Sequence, residues 1–197
     1  MISARGLERS FGRKRVLRGL DLNVPEGGFL VITGPNGSGK STLLALAAGL
    51  LAPTRGTIEV QADRRELGLL AHEPLVYREL TALENLELYG RLYRVPERRE
   101  RIGMLFERFG LWEARHERAG TYSRGMQQRL AFCRVLLHEP RLLLLDEPYS
   151  GLDAAAAELV DAELRTLADA GRTLVVSTHD PSRLASLATS RLALGTA

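Results

Sequence analysis

A chain of 197 residues with 45% hydrophobic content carries one full core, with room for a subdomain but not for a second large domain. The formal charge is only +3, and the clusters Arg13-Lys14-Arg15 and Arg98-Arg99 are interleaved with acids, so they read as solvated faces and no nucleic-acid partner is expected. One cysteine, Cys133, excludes an internal disulfide framework and a zinc site, as suits the cytosol; the start MISARGLERSFG lacks a secretory apolar run, and Leu43 to Ala52 is too short to cross a bilayer, so any membrane role has to come through a partner.

Residues 2 to 24 alternate apolar patches with charge and predict strands turning at Gly12, with Phe11 in the loop between them. By itself Phe11 reads equally well as a minor-core aromatic. Pro25-Glu26-Gly27-Gly28 is a turn into Phe29-Leu30-Val31-Ile32-Thr33, five residues that read as a strand buried on both faces, as in a parallel sheet. Gly34-Pro35-Asn36-Gly37-Ser38-Gly39-Lys40-Ser41 follows and fits the phosphate-binding pattern G-x-x-x-x-G-K-[ST], and Thr42 to Gly49 predicts an apolar helix behind it. Strand, glycine loop and helix together are the context that this motif requires. The glycines let backbone N–H groups fold around an anion, and the helix N-terminus adds partial positive charge. Lys40 supplies a full charge to terminal phosphates, and the Ser41 hydroxyl suits Mg²⁺. Lys14 and Lys40 are the only lysines in a chain whose other basic residues are all Arg. Lysine is thus kept where a slim ammonium fits.

Thr57-Ile58-Glu59-Val60 and Leu67 to Ala71 predict two more strands. From Pro74 to about Leu137 the character changes. Thr81-Ala82-Leu83-Glu84 is a capping box, followed at helical spacing by Leu83, Leu86, Tyr89 and Tyr93. Pro96-Glu97 opens a second helix to about Gly110, and Gln127 to Leu137 predicts a third. The organisation expected is a core of about residues 1–73 and 138–197, with a helical subdomain of about 74–137. Arg141 to Leu145 is another buried strand, Ala154 to Ala170 a helix, Thr173 to Ser177 a strand and Pro181 to Leu187 a short helix.

The second strong signal is Leu142-Leu143-Leu144-Leu145-Asp146-Glu147. Ligands of open α/β sheets bind at the carboxyl ends of strands. There Asp146 would hold Mg²⁺ and Glu147 would polarise an attacking water. Asp153 follows within Ser150-Gly151-Leu152-Asp153, and Thr173 to Ser177 delivers His179 to the same sheet edge.

With GPNGSGKST, LLLLDEP, SGLD and His179 in this order, the whole chain resembles the ATP-binding subunits of ABC transporters. The resemblance implies a P-loop fold with a RecA-like α/β core, an antiparallel β subdomain and an inserted helical subdomain. It also implies ATP and Mg²⁺ as cofactors, hydrolysis coupled to transport, and a head-to-tail homodimer with two ATP molecules between protomers. The ATP-binding residues implied are Phe11, stacked on adenine, and Gly34 to Thr42 (Gly34, Pro35, Asn36, Gly37, Ser38, Gly39, Lys40, Ser41 and Thr42). His179 would touch the γ-phosphate and Asp153 the dimer contact. The signature L-S-G-G-Q, acting in trans, is matched by Tyr122-Ser123-Arg124-Gly125-Met126-Gln127, with Arg124 and Met126 as departures. The Q-loop glutamine is replaced by Glu73 in Ala71-His72-Glu73-Pro74. The partners implied are integral membrane permease subunits, which would hold the chain at the cytoplasmic face of the membrane. Leu75, Val76 and Tyr77 are candidate contacts for them, or simple packing beneath the helices. Little of the sequence follows His179, so no regulatory extension is expected. HEPLVYRELTALENL and TYSRGMQQRLAFCRVLLHEP look most like the haem-exporter ATPase of cytochrome c maturation. The alternative is an ATPase exporting drugs, lipids or polysaccharides. A non-transport relative acting on ribosomes or DNA would normally carry paired domains or long coiled coils.

Overall fold

The computed structural model describes residues 1–195. Thr196 and Ala197, the end of the expected core, lie outside the described residues. Two sheets form. The first is antiparallel, order β2-β1-β4, from β1 (Ile2–Phe11), β2 (Lys14–Val24) and β4 (Arg55–Val60). The second is parallel, order β5-β6-β7-β3-β8, from β3 (Phe29–Thr33), β5 (Leu67–Leu70), β6 (Leu142–Asp146), β7 (Thr173–Ser177) and β8 (Ser190–Ala193). Helix α1 (Lys40–Ala47) follows β3; α2 (Ala82–Leu92), α3 (Arg98–Arg108) and α4 (Arg124–Leu136) fall between β5 and β6; α5 (Ala154–Asp169) joins β6 to β7.

The continuous apolar strands are explained by two cores, one on each face of the parallel sheet. Side chains alternate across a strand, so Phe29, Val31, Leu143, Leu145, Leu174 and Val176 pack with the helices on one face. Leu30, Ile32, Leu142, Leu144 and Val175 pack on the other with α1 and the antiparallel sheet. A strand covered on both sides has no place for polar residues until it ends, and β6 ends at Asp146. Truncating Leu144 to Ala would cost about 2–5 kcal/mol, the range for fully buried leucines.

The capping box forms as expected. The Thr81 hydroxyl accepts from Glu84 N at 3.1 Å, and Glu84 accepts from Thr81 N at 2.8 Å. These bonds hold the Glu84 carboxyl below its usual range. Three expectations are corrected and one strand is added. Phe11 is not in a loop: it is the last residue of β1 and pairs with Lys14 across a tight turn in which Gly12 takes φ +57°. α4 starts at Arg124 rather than Gln127, because the Ser123 hydroxyl accepts from Met126 N and caps it. Pro181 to Leu187 forms a run of turns with mostly three-residue hydrogen bonds rather than a helix. Strand β8 was not expected; only Leu192 of its four residues reads as a long apolar side chain, since it is an edge strand.

Candidate functional site

β3 runs straight into the phosphate loop, and α1 starts at its lysine. Gly34 (φ +145°) and Gly39 (φ +104°) hold conformations that favour glycine. A Cβ at Gly34 would lie 2.4 Å from the Leu194 carbonyl, and one at Gly39 would lie 2.9 Å from Val16 and Leu17. Gly39 is the N-cap of α1 without any side-chain cap, and the first turn holds no acid, so the helix start is open to an anion. Lys40 is buried, and its Nζ donates to the carbonyls of Gly34 at 2.8 Å and Pro35 at 3.4 Å.

Facing the loop, the parallel register sets Asp146 opposite Ser177. The Ser177 hydroxyl donates to Asp146 Oδ1 at 2.5 Å, which fixes this buried carboxylate and leaves Oδ2 for another partner. Glu147 takes φ +48°, an unusual backbone for a residue with a long side chain. Its N–H is held by Ser177 O at 3.2 Å and Oγ at 3.1 Å, so Ser177 fixes both acids. Glu147 Oε1 lies 3.8 Å from Lys40 Nζ and 3.1 Å from His179 Nε2, yet is aligned with no hydrogen-bond donor. Oε2 accepts the His179 backbone N–H at 3.3 Å. Lys40 offsets the charge of this buried oxygen, but its hydrogen-bonding capacity is left for a water or ligand proton.

These groups line one cleft of about 370 Å³, which includes Asn36, Gly37, Gly39, Lys40, Ser41, Thr42, Asp146, Glu147 and His179. Ser38, also in the loop, is buried with its hydroxyl unpaired. Among the described residues no group of three or more His, Cys, Asp or Glu side chains could hold a metal by itself. The donors fit a hard divalent cation only as a partial set: the Ser41 hydroxyl and the Asp146 carboxylate would leave the other positions to phosphate oxygens and water.

Other expected residues lie elsewhere. Phe11 is 46% exposed under the Arg9 guanidinium and does not line the cleft. Lys14, Val16 and His72 do, and none of them was singled out for this role. The lysine count was the only signal for Lys14. Glu73 lines a neighbouring groove with Leu75, Val76, Tyr77 and Tyr89. Asn85, fully buried on α2, shapes that groove by accepting from Tyr77 N and donating to the carbonyls of Tyr77 and Thr81. No signature residue lines the phosphate cleft. Arg124 instead donates to Ser150 Oγ at 2.7 Å, Gln127 to the carbonyls of Ala119 and Tyr122, and a Cβ on Gly125 would meet Gly151 O at 2.9 Å. Asp153 caps α5 by accepting from Ala156 N.

A glycine loop after parallel strand β3, with paired carboxylates at the end of β6 on the far side of β7, defines a P-loop NTPase fold. The comparisons narrow this. A family profile described as "ABC transporter" matches residues 17–150, and the chain belongs to that family. An uncharacterized ABC transporter ATP-binding protein of Bacillus subtilis, YxlF, is 43% identical over 159 residues, covering 78% of this chain and 54% of the relative. The lantibiotic transport ATP-binding protein SrtF of Streptococcus pyogenes is 31% identical over 194 residues, covering 95% and 84%. Other relatives are named for daunorubicin resistance and Nod factor export. The chain spans 54% to 60% of the length of the first curated relatives it matches. Among solved structures, the dimeric bacterial ABC transporter cassette MJ0796 superposes with a TM-score of 0.89 at 31% identity, covering 99% of this chain and 94% of that one. The same cassette is also described as a dimer in a post-hydrolysis state bound to ADP and phosphate.

Proposed function

We propose that this chain is the ATP-binding and ATP-hydrolysing subunit of an ABC export complex. The observation that carries the reading is Glu147: its oxygen is held in the phosphate cleft without a donor, 3.8 Å from Lys40 and 3.1 Å from His179. An in-line water at the end of a polyphosphate needs a fixed acceptor there. Asn36 to Thr42 bind the phosphate chain, with Lys40 the main charge. Ser41 and Asp146 would hold Mg²⁺, which would neutralise phosphate charge. His179 orients on the terminal phosphate side, and Phe11 stacks on the base.

Ser123 to Gln127 lie outside the cleft. ATP would therefore close two copies head to tail, each lending its signature to the other; the dimeric form of MJ0796 supports this. Among the described residues no helix is long and apolar enough to cross a membrane. Work then reaches the bilayer through permease subunits at the cytoplasmic face. Leu75 and Tyr77, 46% and 55% exposed beside the groove, are the contacts proposed for them.

As to cargo, the relatives' names concern lantibiotic transport, drug resistance and Nod factor export. They favour a general export ATPase over the haem exporter that the sequence fragments suggested. Deletion of the gene tests this: unchanged covalently haem-bound c-type cytochromes are expected, with sensitivity to an exported or excluded compound. Loss of those cytochromes would restore the haem reading. For the activity itself, the purified chain should hydrolyse ATP with Mg²⁺ and lose turnover as Glu147→Gln; wild-type turnover in that variant would sink the assignment.

A further inference from the structure

Lysine is rare in this chain: Lys14 and Lys40 are the only two, against 25 arginines among 27 basic residues. The fold brings both to one cleft. They arrive from different sheets, Lys40 on α1 behind the parallel sheet and Lys14 at the first residue of β2 in the antiparallel one. Lys14 Nζ lies 4.0 Å from the position a Cβ would take on Gly37, over the exposed shoulder of the phosphate loop. Among the described residues no carboxylate lies within ion-pair distance of Lys14. Its partner across the hairpin is Phe11, so its position is set by strand register rather than by a salt bridge.

A cation on the open side would add to Lys40 and to the Mg²⁺ that Ser41 and Asp146 would hold. Lys40 is the one lysine at the closed end, and it faces two carboxylates, Asp146 and Glu147, on β6 and just beyond it. A polyphosphate entering here approaches those acids as well as the loop, so Coulomb repulsion works against the N–H contacts. A second fixed positive charge on the open side offsets it. Lysine suits the position better than arginine, since a compact ammonium can sit over a bare glycine backbone where a planar guanidinium would crowd the loop.

Resting on the nucleotide reading above, we propose that Lys14 is a nucleotide-binding residue whose ammonium contacts the phosphate chain from the β2 side, closing the shoulder of the loop at Asn36 and Gly37. It is a binding residue, not a chemical one: Glu147 lies on the opposite wall. Its contribution should scale with phosphate charge and fall with salt, because Lys14 is exposed.

The test is calorimetric titration of the full chain with ATP and with AMP, at low and moderate salt. The wild type should bind ATP and Lys40→Ala should not; failure of the wild type to bind would overturn the nucleotide reading and this one with it. Given wild-type binding, Lys14→Met should weaken ATP about fivefold at low salt, the upper end for one exposed ionic contact. AMP should weaken much less, and the dependence on salt should flatten. Lys14→Arg keeps the charge but crowds the loop, so it should recover only part of the loss. ATP affinity in Lys14→Met equal to wild type would overturn the proposal. So would equal losses for ATP and AMP with unchanged salt dependence, which would mark Lys14 as structural.

Discussion

Helices α1 and α4 both start at glycine-containing motifs, and their N-termini differ in what they leave unused. At α1, Gly39 makes no side-chain cap, the flanking loop leaves its backbone turned inward, and Lys40 adds a charge beside it. At α4, Ser123 caps its own helix, Arg124 is tied to Ser150, and Gln127 is tied to Ala119 and Tyr122. The first end is built to receive an anion within this chain. The second is braced by its own loops and does not line the cleft. On the reading proposed above, the second motif would serve a site completed by another copy.

Breaking the first end should have the largest effect. Lys40→Ala is expected to weaken ATP binding by about a hundredfold or more in equilibrium titration, since a buried charge-assisted contact is lost. Next, Glu147→Gln should keep ATP binding and slow hydrolysis by about a hundredfold or more in a phosphate-release assay, because the amide cannot accept the water proton. Breaking the second end should separate binding from turnover. Ser123→Ala costs α4 about 1 kcal/mol of capping. It should lower turnover about tenfold while ATP affinity of the dilute monomer stays within about twofold, as expected if the hydroxyl works on a partner's nucleotide. Arg124→Ala, which frees only the exposed bond to Ser150, should cost turnover roughly two- to fivefold. Smallest of all, Glu73→Gln should leave basal turnover within about threefold, because Glu73 lines the neighbouring groove rather than the phosphate cleft. Complete loss in that variant would make the carboxylate a required ligand.

The parts of this site that were legible are those in which one strand or one loop carries its own reason. Phe29 to Thr33 and the four leucines before Asp146 show burial on both faces in their composition, and the glycine pattern shows the loop. What could not be read depends on pairing between distant strands. Ser177 holds Asp146 and Glu147 only because β6 and β7 align in parallel register. Lys14 reaches the cleft because a two-residue turn sets it opposite Phe11. His72 lines the cleft and Glu73 the neighbouring groove, because the chain bends at both residues after β5 ends. Pro181 to Leu187 had a helix's composition, but seven residues with no apolar stripe beyond Leu184 and Leu187 are too few to sustain one.

The central claim is that the cleft is half of a composite site. It is tested most directly by light scattering on Glu147→Gln with saturating ATP and Mg²⁺, alongside the same variant without nucleotide. A shift from monomer mass to twice that mass on adding ATP, abolished by Ser123→Ala, is the expected result. Monomer mass with ATP bound, at protein concentrations far above those of the assay, would contradict it.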